Sequence, residues 1–343
     1  MRSRAIALGL GAAALFGLSV PLVKLAAGRI GTLTLAGLLY LGAGIALGAA
    51  RLVNRSPRET PLRRADGPLL AGIVAAGAVA GPVLLVLGLR RLPASPAALL
   101  LNLEAPFTVL LAVLLFGEHL GRRGLAATFA IVAGACSLAV VPGGLVVEPV
   151  GAAFVAAACA AWALDTNLTQ RLSLRDPVAL VRFKGLCGGA CTLAVGALLQ
   201  EGVPTLHEIA GALAIGAAGY GVSIVWHVRA MRDLGAARQS AIFATAPFAG
   251  ALLSWPLLGE APGLREVAAA ALMAVGIALL ASEDHGHRHE HEAVTHEHAH
   301  VHDEHHRHEH SGPVQEPHSH VHRHEALVHD HPHAPDLHHR HHH

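Results

Sequence analysis

Charge is what this sequence has least of. Asp, Glu, Lys and Arg make up 14% of its 343 residues, against 53% apolar side chains and a mean hydropathy of +0.47. Soluble domains carry about 25% charged residues. Almost no apolar side chains fall beyond Ser282, so residues 5–281 are more hydrophobic still. A soluble fold would have to be a core without a surface, and that class is excluded. Lysine occurs only at Lys24 and Lys184. Cysteine is scarce too: Cys136, Cys159, Cys187 and Cys191 all lie inside apolar runs, where no disulfide framework is implied. The net charge of +1 supplies no field for nucleic acid. No nucleophile constellation, phosphate loop or closed metal site appears, so the chain is not expected to be an enzyme and requires no cofactor.

What the sequence does have is long apolar runs. A helix needs about 20 residues to cross the hydrocarbon of a bilayer. Runs of that size occupy residues 5–27, 32–50, 67–88, 94–116 and 123–141, then 150–171, 177–199, 206–228, 237–258 and 264–281. The opening Met1-Arg2-Ser3-Arg4 has the look of a signal peptide, but the run behind it carries Pro21 and Lys24 and is taken as the first span. With the N-terminus placed in the cytoplasm, fourteen basic residues fall at cytoplasmic helix ends and four (Arg29, Arg90, Arg91 and Arg265) at the far ends. The positive-inside rule therefore predicts an inner-membrane protein with both termini cytoplasmic.

The chain also repeats itself. Arg90, Leu92, Gly117, Glu118 and Gly134 recur at one constant offset as Arg232, Leu234, Gly259, Glu260 and Gly276. Ala105-Pro106-Phe107 recurs as Ala246-Pro247-Phe248, one residue out of step. Five spans per copy is an odd number, so the second copy enters from the opposite side, as inverted repeats of secondary transporters do. The expected fold is all-α: ten transmembrane helices as two inverted five-helix repeats, residues 1–142 and 143–281, followed by a disordered histidine-rich cytoplasmic tail over 282–343.

The pattern Ala105-Pro106-Phe107, Leu115-Phe116-Gly117-Glu118 and Gly134, with its second copy, resembles the EamA family of the drug/metabolite transporter superfamily. Trp162-Ala163-Leu164 at the sixth helix adds to the likeness. The resemblance covers about residues 5–281. It implies ten helices and a central cavity lined chiefly by helices 1, 3, 4, 6, 8 and 9, and it leaves the substrate open.

Charges inside a bilayer are costly, so each needs a reason. Glu104 lies about 16 Å along its helix, near the midplane, and is expected either to couple protons or contact substrate, or to bond to a neighbouring helix. Pro106 frees a carbonyl near Asn102, which joins the candidates. Asp165 and Lys184 sit about 9–10 Å deep on adjacent antiparallel helices, which predicts an ion pair, either structural or part of a gate or binding site. Arg182 points elsewhere on its helix, and Asn167 lies close to Asp165 in sequence. Lys24 is expected to snorkel or to hold a substrate carboxylate. His227 is read with Trp226 as an interfacial aromatic pair. Cys187 and Cys191 are read as packing residues, and Glu118 and Glu260 as carboxylates favouring the helix N-termini that follow them.

Of the 27 histidines, 24 lie in the tail. His285, His287, His289 and His291, then His296, His298, His300 and His302, recur at every second residue, and His305, His306, His308 and His310 follow. Neutral imidazoles at that density can ligate Ni²⁺, Zn²⁺, Co²⁺ or Cu²⁺. The expected function is a secondary transporter exporting a small metabolite, proton-coupled, with the lipid bilayer and the substrate as partners. The alternative is a divalent-metal or metal-chelate exporter fed by the tail, and the third reading is a membrane-anchored metal buffer or sensor.

Overall fold

The structure is a computed structural model. It describes residues 2–53, 60–116, 121–141, 144–145, 148–172, 175–234, 239, 242–260 and 263–281, and the tail segments 285–291, 295–300, 318–323 and 327–333.

Helices account for the apolar part. Helix α1 spans Arg2–Ala27, with Pro21 inside it, and α2 spans Thr32–Val53. Helix α3 (Gly67–Ile73) runs through a π-helical turn at Val74–Ala80 into α4 (Gly81–Arg91). Helix α5 (Ala94–Leu100) passes through a 3₁₀ turn at Leu101–Leu103 into α6 (Glu104–Phe116), and α7 covers Arg122–Ala139. The second half repeats this plan: α8 (Pro149–Gln170), α9 (Pro177–Leu198), and α10 (Leu206–Gly216) leading through a π turn at Ala217–Val222 into α11 (Ser223–Leu234). Helices α12 (Ala246–Leu258) and α13 (Leu264–Ala281) follow.

Among the described residues, seven helical stretches are long and apolar enough to cross a membrane: Ser3–Ala27, Thr32–Leu52, Arg64–Arg91, Ala94–Leu114, Pro149–Gln170, Pro177–Leu198 and Leu206–His227. The chain is thus a multi-pass membrane protein. Large apolar side chains such as Leu114, Phe129 and Leu198 face outward, as a hydrocarbon solvent permits.

Packing is reciprocal between the halves. Helix α2 lies along α9 and α7 along α13; α1 packs on α11 and α12 as α8 packs on α4 and α6. The α7–α13 contact shows the rule atom by atom. A Cβ on Gly134 would meet Met273 and the Ala269 carbonyl; a Cβ on Gly276 would meet Ile131 and the Ala127 carbonyl. Gly276, Met273 and Ala269 stand in the second repeat where Gly134, Ile131 and Ala127 stand in the first. This is the pattern of a two-fold contact, in which i touches j and j touches i.

Four segments of the tail are described. His285–His291 pairs antiparallel with Leu327–His333, and Thr295–His300 with His318–Arg323. Alternation at every second residue is the strand period, so a sequence read as shapeless also satisfies a ladder. Of the expected metal ligands, His302, His305, His306, His308 and His310 lie outside the described residues.

Candidate functional site

The break in α3–α4 builds the site. In the π turn at Val74–Ala80, the Gly77 carbonyl accepts from the Tyr40 hydroxyl of α2 at 2.5 Å and from Trp162 Nε1 of α8 at 3.0 Å. Gly77 is needed for space: a Cβ there would collide with the Asp165 carboxylate. One turn beyond Trp162, that carboxylate therefore enters the gap against α3–α4. Lys184 of α9 reaches it and forms an ion pair, with Thr169 Oγ1 3.4 Å from the other carboxylate oxygen. Both charged side chains are nearly buried. The Lys184 ammonium also lies 6.0 Å from the centre of the Tyr40 ring.

Glu104 enters from the second break, where the 3₁₀ turn gives way to α6. Its carboxyl interacts with Asp165, Lys184 and Thr166. The carbonyls of Leu100 and Leu101, displaced by the same turn, face the Cys159 thiol at 3.6 and 3.7 Å. Asp165 and Lys184 thus pair where α8 and α9 pack on the π turn, and Glu104, on α6 packed against α8, lies within range of their charges. With all three ionised the group is one negative charge in excess, and burial demands that a cation or a proton balance it.

Other sequence candidates lie apart. Asn102 turns away from Glu104, donating to the Leu99 carbonyl at 3.1 Å and packing on Met273. Asn167 donates to the carbonyls of Ala163 (2.8 Å) and Thr108 (3.2 Å), tying α8 to α6. Arg182 runs along Gly48 of α2. His227 packs its ring 4.4 Å from that of Phe243 and meets Gln239 at 3.1 Å, while Trp226 packs on Gly11. His227 and Trp226 thus have separate partners, because neighbouring residues on a helix face different ways.

Lys24 finds its partners on the backbone. Its ammonium donates to the carbonyls of Leu89 (2.5 Å) and Leu92 (2.8 Å), closing the C-terminal end of α4. It lines a cavity of about 240 Å³ with Ala27, Gly28, Leu89 and Arg90. Glu260 is a correction. It serves not the helix that follows it but α5, accepting from the backbone N–H groups of Ala94 and Ser95, each at 2.7 Å. Sequence position reveals the neighbour in the chain, not the helix end that folding brings alongside. Glu118 lies outside the described residues.

Sequence reasoning missed Glu201, which caps α2 by accepting from Leu33 N–H (3.0 Å) and Thr34 N–H (2.8 Å). Burial pushes its carboxyl up, but these N–H groups, the Thr34 hydroxyl and Arg90 outweigh that and hold it below the ordinary value. Tyr40 and Trp162 were missed as a pair because their shared acceptor is a backbone carbonyl.

Comparisons with known proteins point one way. The sequence model of the EamA-like transporter family matches residues 3–140 and 149–282. A relative from Methanothermobacter thermautotrophicus, described as an uncharacterized transporter, is 28% identical over 285 residues, covering 77% of this chain and 82% of its own. A solved crystal structure at 23% identity covers 81% of this chain and 96% of its own with a TM-score of 0.60, which shows a common fold.

Proposed function

The chain belongs to the EamA-like transporter family, and we propose that it is a proton-coupled secondary exporter of a small metabolite, built as ten spans in two inverted repeats with both termini cytoplasmic. The observation that carries the reading is the buried Asp165–Lys184 pair at the π turn with a further carboxyl, Glu104, within range of its charges. That uncompensated carboxyl takes a proton in one state and yields it in another, which is what coupling requires. The reciprocal packing of the two halves supports two near-equivalent arrangements, and hence alternating access. Stretches 123–141, 237–258 and 264–281 supply the remaining three spans in this reading, each helical wholly or in part.

The test is counterflow and proton-driven accumulation in vesicles against a panel of amino acids and other small metabolites. Glu104→Gln should abolish pH-driven accumulation and leave substrate exchange within about threefold of the unaltered protein. Normal pH-driven accumulation by that variant would remove Glu104 from the mechanism. The metal-exporter alternative gains no support: among the described residues no group of three or more His, Cys, Asp or Glu is placed to hold an ion.

A further inference from the structure

Two carboxylates outside the charged group make the same unusual contact. Glu201 follows α9, and Glu260 follows α12, where Gly259 at φ +68° turns the chain out of the helix. Both belong to the second repeat. Each reaches across to the first and receives two consecutive N–H groups at a helix start: Leu33 and Thr34 of α2, and Ala94 and Ser95 of α5. The first N–H groups of a helix have no partner within it and carry the positive end of its dipole, so a carboxylate there makes charge-assisted bonds.

The two contacts lie beside the chain turns held by Lys24 and Arg90, which line the cavity: a Cβ on Gly31, next to Ile30, would meet Glu201, and Leu92 stands two residues before Ala94. Lys24 feels the charge of Glu260, and Arg90 that of Glu201. The cations in turn fasten the neighbouring turns of chain, Lys24 on Leu89 and Leu92, Arg90 on the Ile30 carbonyl at 2.5 Å. Around this cavity the second repeat thus holds the first through two carboxylates. Neither is fully buried, so water can replace the four N–H bonds when they open.

At the other end the arrangement differs. Asp176 immediately precedes α9, as Gly31 precedes α2, and its N–H donates to the Thr60 carbonyl at 2.9 Å. Its carboxylate caps its own helix at Val178 and Ala179. Yet the sequence supplies one equivalent acid, since Glu118 holds the place in the first repeat that Glu260 holds in the second. A glutamate at that position in both repeats suits a device used at each end in turn.

We infer that Glu201 and Glu260 are paired latches that hold the Lys24–Arg90 mouth closed and must release α2 and α5 for it to open. The inference rests on the transporter reading, but its test needs no substrate. Ala27 lines the mouth and is 2% exposed. In full-length protein with its four cysteines replaced by serine, Ala27→Cys should react slowly with a membrane-impermeant maleimide. Adding Glu201→Ala or Glu260→Ala should raise that rate about tenfold, and both together should raise it further.

The isosteric pair Glu201→Gln with Glu260→Gln removes the charge at less risk to folding, and should give a rise of about threefold or more. An unchanged labelling rate in either double variant that purifies as a monodisperse protein would overturn the inference. Failure of Glu104→Gln to alter coupling would leave the labelling result standing, so the two readings fail separately.

Discussion

Asp165 and Lys184 illustrate how one residue fixes another's value. Each is nearly buried, and each is tolerated because the other is there. Removing one partner of such a pair leaves a lone charge and costs about 3–5 kcal/mol, whereas removing both costs far less. Asp165→Asn and Lys184→Met should each lower the melting temperature of detergent-solubilised protein markedly, and the double variant should regain more than half of the loss. Strict additivity in that cycle would mean that the ion pair contributes nothing of its own. This pair was legible in the sequence, because helix rise converts residue number into depth and two charges at equal depth on adjacent helices must find each other. The partners of Lys24, Glu201 and Glu260 were not legible. They are backbone carbonyls and N–H groups, which no residue type advertises.

At the scale of elements, the apolar runs predicted the helices but not their interruptions. The π turns at Val74–Ala80 and Ala217–Val222 leave no mark in hydropathy, since small apolar residues fill regular and irregular turns alike. Both carry a glycine at the same place in the repeat, Gly77 and Gly219, and both present that glycine's carbonyl to side chains: Tyr40 and Trp162 in one, Ser223 in the other. Where the first turn admits Asp165, no Cβ fits. Gly77→Ala should therefore displace the carboxylate from Lys184, with a destabilisation of about 1–3 kcal/mol from overpacking. Gly211→Ala is the control, because nothing lies within 4 Å of a Cβ at that helical position. It should be neutral or stabilising by up to about 1 kcal/mol. Equal melting temperatures for Gly77→Ala and the unaltered protein would show that the gap around Asp165 is wider than drawn.

For the whole molecule, the offset between the two halves was legible from a handful of identities, and the contacts of α7 with α13 obey it. Helices α7 and α13 differ at most aligned positions, yet Gly134 receives Ala269 and Met273 where Gly276 receives Ala127 and Ile131. Small residues at such a crossing let backbones approach, which is how helices associate where no hydrophobic force separates them from lipid. The likeness is not exact, and its flaw sets a prediction. A Cβ on Gly134 would meet the Met273 Cγ at 2.7 Å and the Ala269 oxygen at 3.1 Å. A Cβ on Gly276 would meet the branched Ile131 at 2.7 Å and the Ala127 oxygen at 2.8 Å. Methionine yields by rotation, whereas an isoleucine branch and a backbone oxygen do not. Gly276→Ala should thus be the costlier of the two, toward about 3 kcal/mol, with Gly134→Ala nearer to about 1 kcal/mol. Because both substitutions push the same two helices apart, the double variant should fall short of their sum, as residues sharing one interface do. Thermal unfolding of the two single variants and the double variant in one detergent measures all three losses. A fully additive double variant would mean that the two glycines sit in independent contacts, and the two-fold crossing would have to be given up.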